Sequence, residues 1–365
     1  MKQEIKIAIL ADAGSTHTVK WVNALSDRGL KISLISLRKP APESISEAVN
    51  VYVLENQNQK KSDLLKLSYL TQARSIKKIV KEISPDILHA FYATSYGTLG
   101  RYCKHPKYII SVWGSDVYEF PIKSPFHKYI IQRNLSSAIH IFSTSEDMMR
   151  ETKKYTKQPI SVIPFGVDVE FFVPKPKNTN TDELVFGTVK TMEHVYGIDI
   201  LIRSFAKFKE QYSGKAKLLI AGSGGKIDTY KKLANDLGVG DQTKFLGYIP
   251  QSQVPTIIQQ MDVFMVLSRR ESFGVAAVEA AACGIPVIAT NTGGLPEVVI
   301  EDKTGFIVPV EDVSSTVDKM KELTSAKLRA SLGKQGRNLV LEKYNWKQNV
   351  DFMVENYKTL FQPKD

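Results

Sequence analysis

A pair of doubly wound, Rossmann-like α/β domains is the fold this chain predicts, on three observations. Short apolar runs of strand length alternate with helical stretches, a proline-rich polar segment interrupts the pattern near the middle, and 365 residues are long for one core and comfortable for two. In the first half, residues 5–10, 31–37, 87–90, 108–112, 140–143 and 161–163 suit parallel strands, with helices at 19–28 and 69–83 between them. The segment 173–181, Val-Pro-Lys-Pro-Lys-Asn-Thr-Asn-Thr, breaks the pattern. A second alternation starts at Leu184. Its helix at 198–212 sets Ile198, Leu201, Ile202, Phe205 and Phe208 at helical spacing, and a strand follows at 217–221. The expected division is a domain at 1–165, a linker at 166–182, a domain at 183–343 and a final helix within 344–365.

The most informative local pattern lies in the second half. Asp262-Val-Phe-Met-Val-Leu267 is a strand-length apolar run, followed by a polar loop and the alanine-rich helical segment 275–282. The helix should begin near Phe273 and Gly274. Its first-turn amides lack intrahelical partners, and with the helix dipole they form an anion site suited to a diphosphate. Glu271 precedes this helix and Glu279 lies one to two turns inside it, so the two carboxylates bracket that site, each able to accept two hydroxyl hydrogen bonds from a diol. Spacing alone fits two solvated glutamates; the context adds weight. Cys283-Gly-Ile-Pro-Val-Ile-Ala289 gives a turn and a buried strand, and Thr292-Gly-Gly-Leu-Pro-Glu297 a glycine turn into another helix, where Gly293 and Gly294 are expected to let a ligand approach the backbone.

On these residues, the Glu-x7-Glu element, Gly284-Ile-Pro-Val and Gly293-Gly-Leu-Pro-Glu, the chain resembles the retaining glycosyltransferases of family 4, the group 1 glycosyl transferases. The resemblance extends to Pro164-Phe-Gly-Val-Asp168 with Phe171-Phe172, to Ala221-Gly-Ser-Gly224 and to Lys244-Phe-Leu-Gly-Tyr248. It implies the GT-B fold, two Rossmann-like domains facing a deep cleft, with the helix 346–361 crossing back onto the first domain. It also implies that Glu271 holds the donor sugar and Glu279 the nucleotide ribose. Gly222, Ser223, Tyr248, Ser272, Phe273, Gly274 and Val275 would complete the donor site, and Gly14 and Ser15, in Asp12-Ala-Gly-Ser-Thr-His-Thr18, would face the diphosphate from the first domain.

Two departures from the family pattern stand out. Where many members carry a histidine, Ser111-Val-Trp-Gly-Ser-Asp116 presents Trp113, a packed aromatic or an acceptor contact, and Asp116 or Ser115 is then expected to supply the polar contact. Where an arginine and a Lys-Gly pair are usual, the chain reads Gly187-Thr-Val-Lys-Thr-Met-Glu-His-Val-Tyr-Gly197, leaving Lys190 to compensate the diphosphate as a point charge. His17 and His89 are the remaining acceptor-side candidates, each alternatively a capping, surface or satisfied strand-end histidine.

The implied activity is retaining transfer of a sugar from a nucleoside-diphosphate sugar, UDP ahead of GDP, to a sugar or lipid-linked acceptor in cell-surface polysaccharide or glycoconjugate assembly. Glu271, Lys190 and Asp116 are the catalytic candidates. Attack would be from the front face, with the leaving phosphate taking the acceptor's proton. No Asp-x-Asp motif stands beside these elements, so no metal and no other cofactor is expected. A nucleotide-sugar epimerase and a catalytically weak nucleotide-sugar-binding protein are the competing readings.

Composition fits an ordinary soluble protein, 43% hydrophobic and 24% charged, and no apolar run reaches the length of a membrane span or of a signal-peptide core. A cytoplasmic protein is expected. Cys103 and Cys283 lie far apart in the sequence and read as buried thiols rather than a disulfide or zinc site. Residues 1–165 hold 24 Lys and Arg against 14 Asp and Glu, whereas 166–365 hold 25 against 24. Lys60, Lys61, Lys66, Arg74, Lys77, Lys78 and Lys81 form one basic cluster, and Lys123, Lys128 and Arg133 another beside Phe126, Tyr129, Ile130 and Ile131. These clusters fit a solvated face equally with peripheral contact to an anionic membrane on its cytoplasmic side or with a phosphorylated lipid acceptor. No nucleic-acid-binding module is present, and no nucleic-acid partner is expected.

Overall fold

The computed structural model describes residues 4–54, 70–176 and 183–361. Lys60, Lys61 and Lys66 and residues 177–182 of the expected linker lie outside the described residues. The chain divides into two compact units, residues 1–164 with 348–365, and residues 165–347.

The first unit contains β1 (Lys6–Leu10), β2 (Lys31–Ser36), β3 (Asn50–Val53), β4 (Ile87–Phe91), β5 (Tyr108–Ser111), β6 (His140–Ser143) and β7 (Ile160–Val162). They form one parallel sheet in the order β3-β2-β1-β4-β5-β6-β7. The second unit contains β8 (Glu183–Val189), β9 (Lys215–Ala221), β10 (Thr243–Gly247), β11 (Val263–Val266), β12 (Val287–Thr290) and β13 (Gly305–Val308), parallel and ordered β10-β9-β8-β11-β12-β13. Both are doubly wound, and each reverses direction once: between β1 and β4, and between β8 and β11. Such switch points open a crevice at the strands' carboxyl ends, where ligands of this fold class bind.

Helices on both faces bury the sheets, so the central strands are mostly apolar: every residue of β4, β5, β11 and β12 is buried. The short strand β3 lay outside the sequence expectation because its side chains alternate between half-buried and exposed. The second unit's core packs the helix Ile198–Gln211 through Leu201, Ile202, Phe205 and Phe208 against Phe186 and Leu218 of β8 and β9. Each such large apolar side chain contributes about 1.5–3 kcal/mol on burial.

The segment after Pro164, expected as a linker from residue 166, belongs to the second unit as far as it is described. Val167 pairs in parallel with Asn345, and Arg337 donates to the carbonyls of Phe172 and Val169, at 2.6 and 2.8 Å. Most of the last helix, Trp346–Phe361, belongs to the first unit: Arg28 pairs with Asp351 at 2.9 Å, and the Tyr357 hydroxyl meets His89 Nδ1 at 2.7 Å.

Candidate active site

The crevice end of the second sheet collects most of the residues singled out in its sequence. Lys190 follows β8 and Glu271 follows β11, the two strands that flank the switch point, and the loops bring their side chains together: Lys190 Nζ donates to Glu271 Oε2 at 2.5 Å. Both side chains are largely buried, 12% and 11% exposed. Ser268 Oγ donates to the same carboxylate oxygen at 3.1 Å, and the Lys190 ammonium lies 4.8 Å from the centre of the Tyr196 ring. A partly desolvated pair of this kind adds little net stability, because attraction and lost hydration nearly cancel. It does concentrate one cation and one carboxylate at a fixed place.

Beside them the helix Val275–Ala282 begins after Gly274, whose φ of +102° turns the chain into it. Its first backbone bonds are those of Ala277 and Val278 to the Gly274 carbonyl, at 2.9 and 3.2 Å. The amides before them have no intrahelical acceptor, which gives the turn its positive end. The Phe273 ring points the other way, buried against Phe165 and Tyr344, so only its backbone is available. Glu279 does not join Glu271; it lies in the next turns of the helix, accepting from Gln251 Nε2 at 3.2 Å. Tyr248, at the end of β10, is 75% exposed.

The glycines serve differently from the sequence expectation. Gly293 has φ +52°, and a Cβ there would fall 1.7 Å from the Glu271 carbonyl oxygen; one on Gly294 would fall 2.8 Å from the Ser272 carbonyl oxygen. What approaches these glycines is the Glu271 loop itself. Gly222 likewise closes on Lys190, whose carbonyl oxygen would lie 1.9 Å from an added Cβ, while its amide donates to Gly247 at 2.7 Å. Ser223 accepts from the Met192 amide at 3.0 Å. The glycine turns therefore back the two loops that carry the ion pair.

Sequence reasoning missed Arg269. Its guanidinium takes both oxygens of Asp199, at 2.9 and 2.7 Å, Glu311 at 2.7 Å and the His194 carbonyl at 2.6 Å, tying the loop after β8 to that after β11. Burial works to raise the Asp199 pKa, but the Arg269 contact prevails and holds it below the usual carboxylate value. The strand-end position of Arg269 after an apolar run was the available signal; Gln251 and Ser268 are identified by their contacts alone.

The strand ends of the first unit are built otherwise. Asp116 is fully buried and accepts the amides of Ala93 at 2.9 Å, Gly114 at 2.8 Å and Trp113 at 3.2 Å. Burial raises its pKa, with these amide bonds opposing. Its oxygens are taken up in locking the loops after β4 and β5, so the structure corrects its reading as a catalytic or donor contact. His89 is likewise a core residue: it is fully buried, its Nδ1 meets Tyr357 and its Nε2 meets Ser111 Oγ at 2.8 Å, and burial pushes its pKa down to about 3. It is neutral at ordinary pH and does not reach the crevice as an acceptor contact.

His17 and Trp113 do come together, with their rings edge-to-face and 6.1 Å apart, and burial with the nearby Lys20 lowers the His17 pKa to about 4. Gly14 and Ser15 form a turn on Asp12, the Gly14 amide donating to its carboxylate at 2.9 Å, just before the helix Thr16–Asp27. Between these loops Tyr92 has φ +84°, a left-handed conformation costly for a side chain of this size, and its hydroxyl bonds Ser115 Oγ.

Two parallel switch-point domains with this ion pair define a two-domain α/β protein of GT-B architecture. Comparison with known proteins specifies it further. The family model described as glycosyl transferases group 1 matches residues 170–339, and that described as glycosyl transferase 4-like matches residues 6–145. The chain belongs to this glycosyltransferase family. It is 24% identical to N-acetyl-alpha-D-glucosaminyl L-malate synthase of Bacillus anthracis, over 80% of this chain and 78% of the relative. It is 31% identical to a GDP-mannose-dependent alpha-(1-6)-phosphatidylinositol monomannoside mannosyltransferase of Mycolicibacterium smegmatis, over 51% of this chain and 52% of the relative. Among solved structures, sucrose-phosphate synthase of Thermosynechococcus elongatus superposes with a TM-score of 0.85 at 22% identity, covering 98% of this chain and 99% of that one. Anabaena HepE in complex with UDP and glucose gives 0.79 at 16%, covering 98% and 100%.

Proposed function

We propose that this glycosyltransferase moves a sugar, with retention, from a nucleoside-diphosphate sugar to an anionic hydroxylated acceptor. The Lys190–Glu271 pair at the switch point carries the reading. In the free protein each neutralises the other; on donor binding the diphosphate takes over Lys190, beside the amide-rich start of the helix Val275–Ala282, and Glu271 turns to the sugar hydroxyls. Positive charge then stands where the leaving phosphate develops negative charge. Glu279, near Gln251, would hold the ribose diol, and no step calls for a metal. UDP remains the first choice of nucleotide and GDP the second: a solved neighbour carries UDP, and a curated relative is named for GDP-mannose.

The acceptor is drawn from a narrower class. Relatives are named for L-malate, D-inositol 3-phosphate and a phosphatidylinositol mannoside, all anionic. The excess of basic residues in the first unit suits such a partner. Contact with an anionic membrane is part of the same proposal: Ile122, Phe126 and Tyr129 stand exposed beside Lys123 and Lys128, whereas Ile131 is in the core. Among the described residues no helix is long and apolar enough to cross a membrane.

The direct test is a thermal-shift screen of UDP, GDP and their sugars, followed by product analysis with L-malate, inositol phosphates and phosphatidylinositol vesicles. One nucleotide sugar should stabilise the protein and give an α-linked product with one anionic acceptor class. Conversion of donor without acceptor would favour an epimerase, and binding without turnover a non-catalytic binder. Transfer should also survive excess EDTA; loss restored by magnesium or manganese would overturn the metal-independent reading.

A further inference from the structure

We infer that Tyr196 is a positioning residue whose ring face holds the Lys190 ammonium in place for the donor's diphosphate. The inference rests on the proposed role of Lys190 in meeting that diphosphate. Lysine carries its charge on a flexible four-carbon stem, and the ion pair with Glu271 fixes it only until the donor's diphosphate takes the ammonium over. Once the carboxylate turns to the donor, a second restraint decides whether the ammonium stays. The Tyr196 ring centre lies 4.8 Å from Nζ, within the range of a cation–π contact.

The turn that carries the ring is held. Tyr196 ends the short turn His194–Tyr196 between β8 and the helix Ile198–Gln211. Arg269 grips that turn at the His194 carbonyl, 2.6 Å from its guanidinium, and its own amide donates to the Val195 carbonyl at 2.8 Å. The following Gly197, at φ +65°, presses so close to the loop after β11 that a Cβ there would fall 1.8 Å from the Leu267 carbonyl oxygen. The turn has no room to slide, and the backbone that carries Tyr196 is fixed beside Lys190. Arg269 thereby sets Tyr196, and Tyr196 sets Lys190.

The test is calorimetric titration of the full chain with UDP and with GDP, comparing wild type, Tyr196→Phe, Tyr196→Leu, Lys190→Ala and the Tyr196→Leu, Lys190→Ala double variant. A cation–π contact of this kind corresponds to about a three- to thirtyfold effect on Kd. Tyr196→Leu should weaken binding by that factor at an unchanged melting temperature, whereas Tyr196→Phe, which keeps the ring face, should bind like wild type. In the Lys190→Ala background Tyr196→Leu should change nothing further, because its effect passes through the ammonium. Wild-type affinity in Tyr196→Leu, equal damage in Tyr196→Phe, or additive loss in the double variant would each overturn the inference. Wild-type affinity in Lys190→Ala, or no nucleotide binding by the wild type, would instead remove the donor-site reading on which it rests.

Discussion

At the carboxyl ends of β4 and β5 in the first unit, ionisable groups turn inward. Asp116 takes up backbone amides and His89 sits neutral between Ser111 and Tyr357. At the carboxyl ends of β8 and β11 in the second unit, Lys190 and Glu271 neutralise each other through side chains alone, at 2.5 Å. One topology thus carries two uses of buried polarity. Amides held by Asp116 cannot be given up without loosening the fold, whereas in the proposed function Lys190 exchanges Glu271 for a diphosphate and Glu271 exchanges Lys190 for hydroxyl donors. The difference separates residues that fix loops from residues proposed to act.

The comparison can be broken by substitution, beginning with the largest effect. Glu271→Ala should lower kcat/KM for transfer by about 10²–10³, the loss typical for removing a group that acts on the reacting centre; steady-state assays with the donor found by screening measure it. Asp116→Ala should behave in the opposite way, destabilising the protein by about 3 kcal/mol as three buried amides lose their acceptor. Urea unfolding followed by fluorescence would show this, and unaltered stability would mean that the loops after β4 and β5 do not depend on it. Glu279→Ala should weaken donor binding about tenfold, roughly 1.4 kcal/mol, while leaving kcat nearly intact.

The smallest effect is a pH dependence. The unfolded chain protonates His89 near its ordinary 6.5, and the folded one only near about 3, so protons favour the unfolded state as pH falls through this window. His89 should cost the protein about 1 kcal/mol between pH 6.5 and 5.5. Denaturation of His89→Gln should have a shallower acid slope than wild type, and parallel slopes would show that the histidine is not held neutral.

Much of this was legible in the sequence. Parallel strands buried on both faces are apolar runs, so β4, β6, β11 and β12 could be read directly, and the helix Val275–Ala282 followed from its alanines. The edge strand β3 could not, since half-exposed residues carry no continuous apolar signal. Glu271, Glu279 and Lys190 were identifiable as types at motif positions, yet the pairing of Lys190 with a residue 81 positions away is a product of the switch point. Asp116 and His89 answer packing demands that no sequence pattern displays, buried amides and a hydroxyl on a distant helix, and the glycines at 222, 293 and 294 pass so close to neighbouring backbone that a side chain would not fit.

The claim that Lys190 and Glu271 are one exchangeable pair, parted by the donor's diphosphate, predicts opposite signs for its two members. Titration of UDP and GDP into Lys190→Ala and Glu271→Gln against wild type measures both. Lys190→Ala should bind the cognate nucleotide at least about tenfold more weakly, the scale of one lost charge-assisted contact. Glu271→Gln, which frees the ammonium in advance, should bind it as tightly as wild type or more so. Equal weakening in both variants, or wild-type affinity in Lys190→Ala, would contradict the account.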